Sequence, residues 1–419
     1  MFINKKKVIV FLKSSIGELH VTLPILYNLK KKMQNEIEVI FASASIDILN
    51  DLQVPAEYRL KMSEIGEFFF GKKELINLLK RSVYFRTPII LMTCDSGAGS
   101  IEKLFYTLTV NSHILHFHHA FALHSLKPAS EQVRKKINLN KRYVSDSSMF
   151  LNSESDKVWY ESRGFSSQKV FYVGALGYSH NWIQGGLGLN KLEPNQEKLT
   201  IFVPLRDIHP LYLTESNHDY LIDSLVALFK HYSSYSFIVK LHPRQKNKQW
   251  IDRKLEHLNN VMQSNLSTFQ LAAQADLTVS FWSSAITDSL AAMTPAVEFY
   301  RHEVMHDQLI KQDDRLVSIY HQQGFCEFFD NREGLIKFIG TQTKKSLTEL
   351  LTEQRKRFES VFGLDEGIYD RLEYAFNENF KIAEKRNIFE IKRFKVLFKT
   401  FFSILTGKVT KLFKASKGK

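Results

Sequence analysis

Two stretches of this sequence carry residue types that could hold and transfer an anionic group. One is Ser236 to Arg244, SFIVKLHPR, and the other is Ser280 to Asp288, SFWSSAITD. Lys240, His242 and Arg244 bring two cations and a titratable imidazole to the end of a short β-branched and aromatic run, Phe237-Ile238-Val239. A buried parallel strand reads this way where its carboxyl end opens into a loop, and ligands of open α/β sheets bind at such ends. Pro243 removes a backbone donor and biases His242 toward an extended conformation, which ends the strand. Ser283 and Ser284 precede the helical pattern that carries Asp288. A helix start suits an anion, and capping that helix is the alternative use of the two hydroxyls. Val203-Pro204-Leu205-Arg206-Asp207 ends a third apolar run, with a solvated Arg206–Asp207 pair as the alternative to a ligand contact. Together, Arg206, Lys240, His242, Arg244, Ser283 and Ser284 read as a phosphate clamp, with Asp207 and Asp288 as further donor-site residues.

The first half offers a different chemistry. His116-Phe117-His118-His119 is dense in imidazole, the side chain that titrates near neutrality, so the run suits a general base at a strand end. Ordinary polar residues closing a strand are the alternative. No HExxH spacing supports a metal site. The loop Lys13-Ser14-Ser15-Ile16-Gly17-Glu18 lacks GxGxxG and GxxxxGK[ST], which sets aside dinucleotide and P-loop readings and leaves a βα turn. Cys94-Asp95-Ser96-Gly97-Ala98-Gly99-Ser100 lacks the GxSxG order of a hydrolase nucleophile and reads as a structural turn.

These residues need two α/β domains to position them. Apolar runs at 8–12, 36–42, 88–92, 113–117, 149–152 and 169–174 alternate with helical or loop stretches, the signature of a parallel sheet. Residues 185–198, GGLGLNKLEPNQEK, read as a linker. A second set follows, with strands at 199–203, 237–241, 277–280 and 296–300. We therefore expect one α/β domain over 1–184, a linker over 185–198 and a second α/β domain over 199–365. A returning helix over 366–384 and a basic amphipathic tail over 385–419 complete the chain. Two Rossmann-like domains joined in this way predict a cleft.

Composition bounds the function. The chain has 419 residues, enough for two or three domains with sizeable cores. Its two cysteines, Cys94 and Cys326, lie far apart without CxxC spacing, which fits a reducing compartment. The apolar run after the basic start is interrupted at Lys13, too short for a signal peptide, so a cytoplasmic chain is expected. The net charge is +13. Residues 385–419 hold eleven Lys/Arg and one Glu, a net of +10, leaving +3 for the body by subtraction. A tail that owns the charge argues against nucleic-acid binding along the body. Phe394, Leu397, Phe398, Phe401 and Leu405 form one stripe flanked by lysines. That stripe suits a helix lying in an anionic membrane interface, with packing on the body as the alternative.

Roughly residues 110 to 305 resemble the CDP-glycerol glycerophosphotransferase family, the teichoic-acid primase and polymerase group of GT-B architecture. Val203-Pro204-Leu205-Arg206-Asp207 is similar to that family's PTWRD segment, and Lys240-Leu241-His242-Pro243 to its KLHP. Ser280-Phe281-Trp282-Ser283-Ser284, with Asp288, Pro295 and Tyr300, resembles its TDYSS…D…P…Y block. Phe117-His118-His119-Ala120 through Lys127 resembles its WHG…K motif. This chain departs from the pattern at Phe281, where the family has Asp, and at His119, where it has Gly. An HP followed by a Ser pair also recurs in sialyltransferases and capsule Kdo transferases that use CMP-sugars.

The resemblance implies a transferase of surface-polysaccharide synthesis, which the basic tail would hold on the inner face of the cell membrane. It would move a sugar or polyol-phosphate from a nucleotide-activated, cytidine-type donor to a glycan or lipid-linked acceptor. It further implies that His242, Arg206 and the two serines hold donor phosphates while His118 is the general base, with no cofactor and no metal. Rival readings are a UDP-sugar 2-epimerase of the same architecture and a non-catalytic GT-B scaffold.

Overall fold

The computed structural model describes residues 5–13, 16–94, 98–118, 147–161, 165–189, 198–209, 213–242, 245–301, 309–312 and 315–385. For these residues the chain divides into two compact units. The first runs to Gly177 and resumes at Gly363; the second runs from Tyr178 to Phe362.

The first unit is built on seven strands: β1 (Lys6–Phe11), β2 (Ile37–Ser43), β3 (Gly66–Phe70), β4 (Ile89–Cys94), β5 (Ser112–Phe117), β6 (Ser148–Leu151) and β7 (Val170–Tyr172). All pair in parallel, in the order β3-β2-β1-β4-β5-β6-β7. Val8, Ile9 and Val10 of β1 are fully buried. Each such branched side chain contributes about 1.5–3 kcal/mol on leaving water. Helices α1 (Ile16–Lys32), α2 (Ser100–Leu108) and α3 (Glu154–Glu161) follow β1, β4 and β6. The helix Ile368–Glu384 belongs to this unit: its Phe376 meets Phe150 of β6 edge-on, with centroids 5.2 Å apart.

The second unit holds β8 (Thr200–Pro204), β9 (Ser236–Lys240), β10 (Val261–Gln263), β11 (Leu277–Ser280) and β12 (Ala296–Phe299). An antiparallel pair, β13 (Leu309–Gln312) and β14 (Arg315–Ser318), precedes β15 (Glu327–Phe329). The main sheet is parallel, in the order β10-β9-β8-β11-β12-β15. Helices α4 (Glu215–His231) and α5 (Ala285–Ala291) follow β8 and β11.

Both sheets therefore have the doubly wound Rossmann order, and each reverses direction beside its first strand. The reversal lies between β1 and β4 in one unit and between β8 and β11 in the other. At such a switch point the two flanking loops diverge and leave a crevice at the strand ends, the place where open α/β sheets bind ligands. The two-domain α/β reading holds. The basic amphipathic helix expected over 385–419 lies outside the described residues apart from Lys385. No helix among the described residues is long and apolar enough to cross a membrane.

Candidate functional site at the second switch point

The switch point of the second unit is bridged by one residue pair. Arg206, two residues past β8, donates from Nη1 to the carbonyl oxygen of Trp282, two residues past β11. Its guanidinium carbon also lies 4.6 Å from the centroid of the Trp282 ring. Trp282 is 1% exposed, its φ is +26°, and its ring lies 5.7 Å from that of Tyr300. A bulky residue at positive φ costs about 1–3 kcal/mol and persists only where its surroundings hold it. A hydrogen bond from a charged donor contributes about 1.5–3 kcal/mol, and a cation–π contact about 0.5–2 kcal/mol. The Arg206 contacts are thus large enough to offset the strain.

The strained residue presents the two serines. Ser283 turns its Oγ inward to accept from the N–H of Ala285 at 3.3 Å. Ser284 is the N-cap of α5, yet its side chain makes no capping hydrogen bond, and the residue is exposed. The capping alternative therefore fails for Ser284, and Ser283 makes a local turn contact. The anion-binding helix start expected here is reduced, because α5 spans seven residues and carries little dipole beyond its first turn. Phe281 is fully buried, with its ring 6.3 Å from that of Phe299. It is a core residue, not the wall of a ligand pocket. Asp288 is half-buried, and desolvation raises its carboxyl to about 7.

Below this loop lies a buried polar group that the sequence reading did not pick out. Glu298 on β12 is fully buried, and desolvation raises its carboxyl to about 8, against the opposing pull of the Ser318 hydroxyl and the Arg206 charge. Ser318 donates to its Oε2 at 2.5 Å. Its signal in the sequence was a single carboxylate inside the apolar run Ala296-Val297-Glu298-Phe299-Tyr300, because an ionised group there is costly unless paired.

The remaining clamp residues divide by task. The Asp207 carboxylate accepts from the N–H groups of Ile208 (3.0 Å) and Lys246 (3.2 Å) and from Gln245 Nε2 (3.4 Å). It fastens the loop after β8 to the loop after β9. Lys240 donates from Nζ to the carbonyls of Leu266 at 2.5 Å and Asn265 at 3.4 Å, tying the end of β9 to the loop after β10. His242 is half-buried, and its carbonyl accepts from the Gln245 N–H at 2.9 Å. Arg244 lies outside the described residues, as does Pro243. The loops carrying His242 and Ser284 follow β9 and β11, the two strands that flank β8 on either side, so β8 and the Arg206 loop lie between them.

In the first unit the imidazoles separate onto different partners. His113 Nε2 lies 2.8 Å from Ser148 Oγ, and His116 Nδ1 lies 3.4 Å from the Cys94 carbonyl. His118, just past β5, is 1% exposed. Its Nε2 lies 3.3 Å from Asp156 Oδ2, and its Nδ1 lies 3.4 Å from the Tyr160 hydroxyl. The same Asp156 oxygen accepts from the N–H groups of Asn152 (3.2 Å) and Ser153 (3.0 Å). A buried carboxylate this close to an imidazole nitrogen favours the tautomer with its proton on that nitrogen, although the approach is an ion-pair distance without hydrogen-bond geometry. Asp156 was legible as the last member of a Ser153-x-x-Asp156 capping pattern, but that pattern does not reveal its second partner. The first switch point is bridged by an ion pair, Lys13 Nζ to Glu102 Oε1 at 2.5 Å. The Lys13 N–H donates to Glu18 Oε2 at 2.8 Å, so the βα turn closes on itself. Among the described residues no group of three or more His, Cys, Asp or Glu is placed to hold a metal ion.

Two Rossmann-like units of this strand order define the GT-B class of fold. Solved structures share it. A Listeria monocytogenes protein described as a UDP-N-acetylglucosamine 2-epimerase matches with a TM-score of 0.58 at 12% identity, over 90% of this chain and 97% of that one. S. aureus MnaA, solved with UDP, gives 0.54 at 11% identity, over 89% and 97%. The wall teichoic acid polymerase TagF gives 0.52 at 13% identity, over 91% and 90%. Likeness at such identities speaks to fold and leaves function to the site. No protein-family model and no curated protein matches the sequence.

Proposed function

We propose that this chain is a GT-B transferase that moves a sugar or polyol-phosphate from a nucleotide-activated donor to a hydroxyl of a glycan or lipid-linked acceptor. The observation that carries the reading is the bridged switch point of the second unit. It presents Ser284 after β11 on one side of β8, with His242 after β9 on the other, at the strand ends where a doubly wound sheet takes a nucleotide. His242, Ser283 and Ser284, with Arg244 from outside the described residues, hold the donor phosphates and stabilise charge as the bond to the transferred group breaks. His118 of the first unit, steadied by Asp156, takes the proton of the acceptor hydroxyl. TagF, a teichoic acid polymerase solved with CDPG, shares the fold. The ordered RD, KLHP and WSS segments favour a cytidine nucleotide.

Isothermal titration with CDP, CMP and UDP tests this. A cytidine nucleotide is expected to bind tightest. UDP tighter than both by tenfold or more, about 1.4 kcal/mol, overturns the cytidine assignment.

The second reading, a UDP-sugar 2-epimerase, is favoured by the epimerase descriptions among the solved structures of the same fold. It predicts conversion of a UDP-sugar in the absence of any acceptor, which the transferase reading does not.

The tail completes the proposal. Residues 385–419, net +10 beside an apolar stripe, hold the enzyme on the anionic inner face of the membrane, where basic residues contribute about 1 kcal/mol each. Removing them is expected to leave a folded protein that no longer sediments with anionic vesicles. Full-length protein that ignores such vesicles refutes the membrane assignment.

A further inference from the structure

We propose that Arg206 is a positioning residue, which sets the Ser283–Ser284 loop through Trp282 and does not itself hold the donor. Where nucleotide is concerned this deepens the reading above and rests on it. The first argument is how the guanidinium is used. Its Nη1 donates to the Trp282 carbonyl and its guanidinium carbon lies over the Trp282 ring, so a single side chain grips the same residue twice. The second argument is what is gripped. Trp282 is buried at a φ of +26° that an unheld tryptophan leaves. The serines proposed to meet phosphate are the next two residues, so a change at Trp282 re-aims both.

The third argument comes from the neighbouring side chains. Asp207 and Lys240, also at strand ends, both spend their charges on backbone groups of adjacent loops. The rim thus has one set of residues that fasten loops and another, Ser284 and His242, that those loops display. Arg206 belongs with the fasteners. Lysine cannot stand in for it, because an ammonium is a compact point charge and lacks the spread of the guanidinium, which reaches the carbonyl and the ring in one pose.

Hydrogen exchange on the full chain without nucleotide tests the grip directly. In Arg206→Lys, amides over residues 281–288 are expected to exchange roughly tenfold faster, a local opening, with protection elsewhere unchanged. Unchanged protection over 281–288 overturns the proposal. Loss of protection throughout the second unit in both Arg206→Lys and Arg206→Gln also overturns it, because Arg206 is then a residue of the fold at large.

A second arm uses whichever of CDP, CMP and UDP binds best. Ser284→Ala is expected to weaken binding about tenfold in the wild type but less than about twofold in Arg206→Lys, since coupled residues are not additive. Equal losses in the two backgrounds identify Arg206 as an independent phosphate ligand and sink the positioning role. If none of the three nucleotides binds the wild-type chain, the transferase reading fails, and the exchange experiment still decides the role of Arg206.

Discussion

Replacing His242 or Ser284 with Ala is expected to lower turnover by roughly 100- to 1,000-fold, the usual cost of losing one preorganised donor to developing charge. The same variants should melt within a few degrees of the wild type. Neither side chain belongs to the core: Ser284 is exposed and caps nothing, and His242 is half-buried in a loop beyond β9. Ser283→Ala is the contrast. Its hydroxyl accepts from the Ala285 N–H, so its loss disturbs the turn before α5 and lowers melting temperature together with rate. Initial rates with saturating donor, beside thermal melts, separate the two patterns. Near-normal turnover in folded His242→Ala and Ser284→Ala would remove both residues from the chemistry.

Which parts of this molecule were legible in advance follows from what each part depends on. Parallel strands buried on both faces are unbroken apolar runs, so β4 and β8 could be read from PIILM and LTIFV almost to their ends. β3 could not. It reads GEFFF at a sheet edge, where Phe68 is 39% exposed and the alternation is poor. β10 and β15 are three residues each, and neither lies in a longer apolar run of the kind that marked the equally short β7.

The rim was legible in position because Pro243 and the Ser pair punctuate strand ends, and strand ends are where an α/β sheet does its work. The task of each residue at the rim was not. Arg206 and Trp282 meet across 76 residues, and no local rule says which partner a guanidinium will choose. Phe281 sits in the same motif as Ser284, but the strand's exit turns it into the core against Phe299. A residue-by-residue comparison with Asp at that position therefore says nothing about donor hydroxyls in this chain.

Replacing His118 with Ala is expected to lower turnover by roughly 100- to 10,000-fold, the range ascribed to a positioned general base, with little change in KM for the donor. Asp156→Asn should fall in the same direction. An amide can donate as well as accept, so it no longer requires the imidazole proton to sit on Nε2, and Nδ1 is no longer reserved as the basic nitrogen. The difficulty is access, because His118 is 1% exposed and its Nδ1 already faces the Tyr160 hydroxyl. At 3.4 Å that contact is long for an O–H donor, so an acceptor hydroxyl can take the place of the phenol. Tyr160→Phe is accordingly expected to keep most of the wild-type rate, while a structural pin between β5 and α3 would make all three variants unstable together. Melting temperature and turnover measured on the same preparations separate these cases. Folded His118→Ala protein that turns over donor at the wild-type rate would leave the first unit without a base and the proposed mechanism without its proton acceptor.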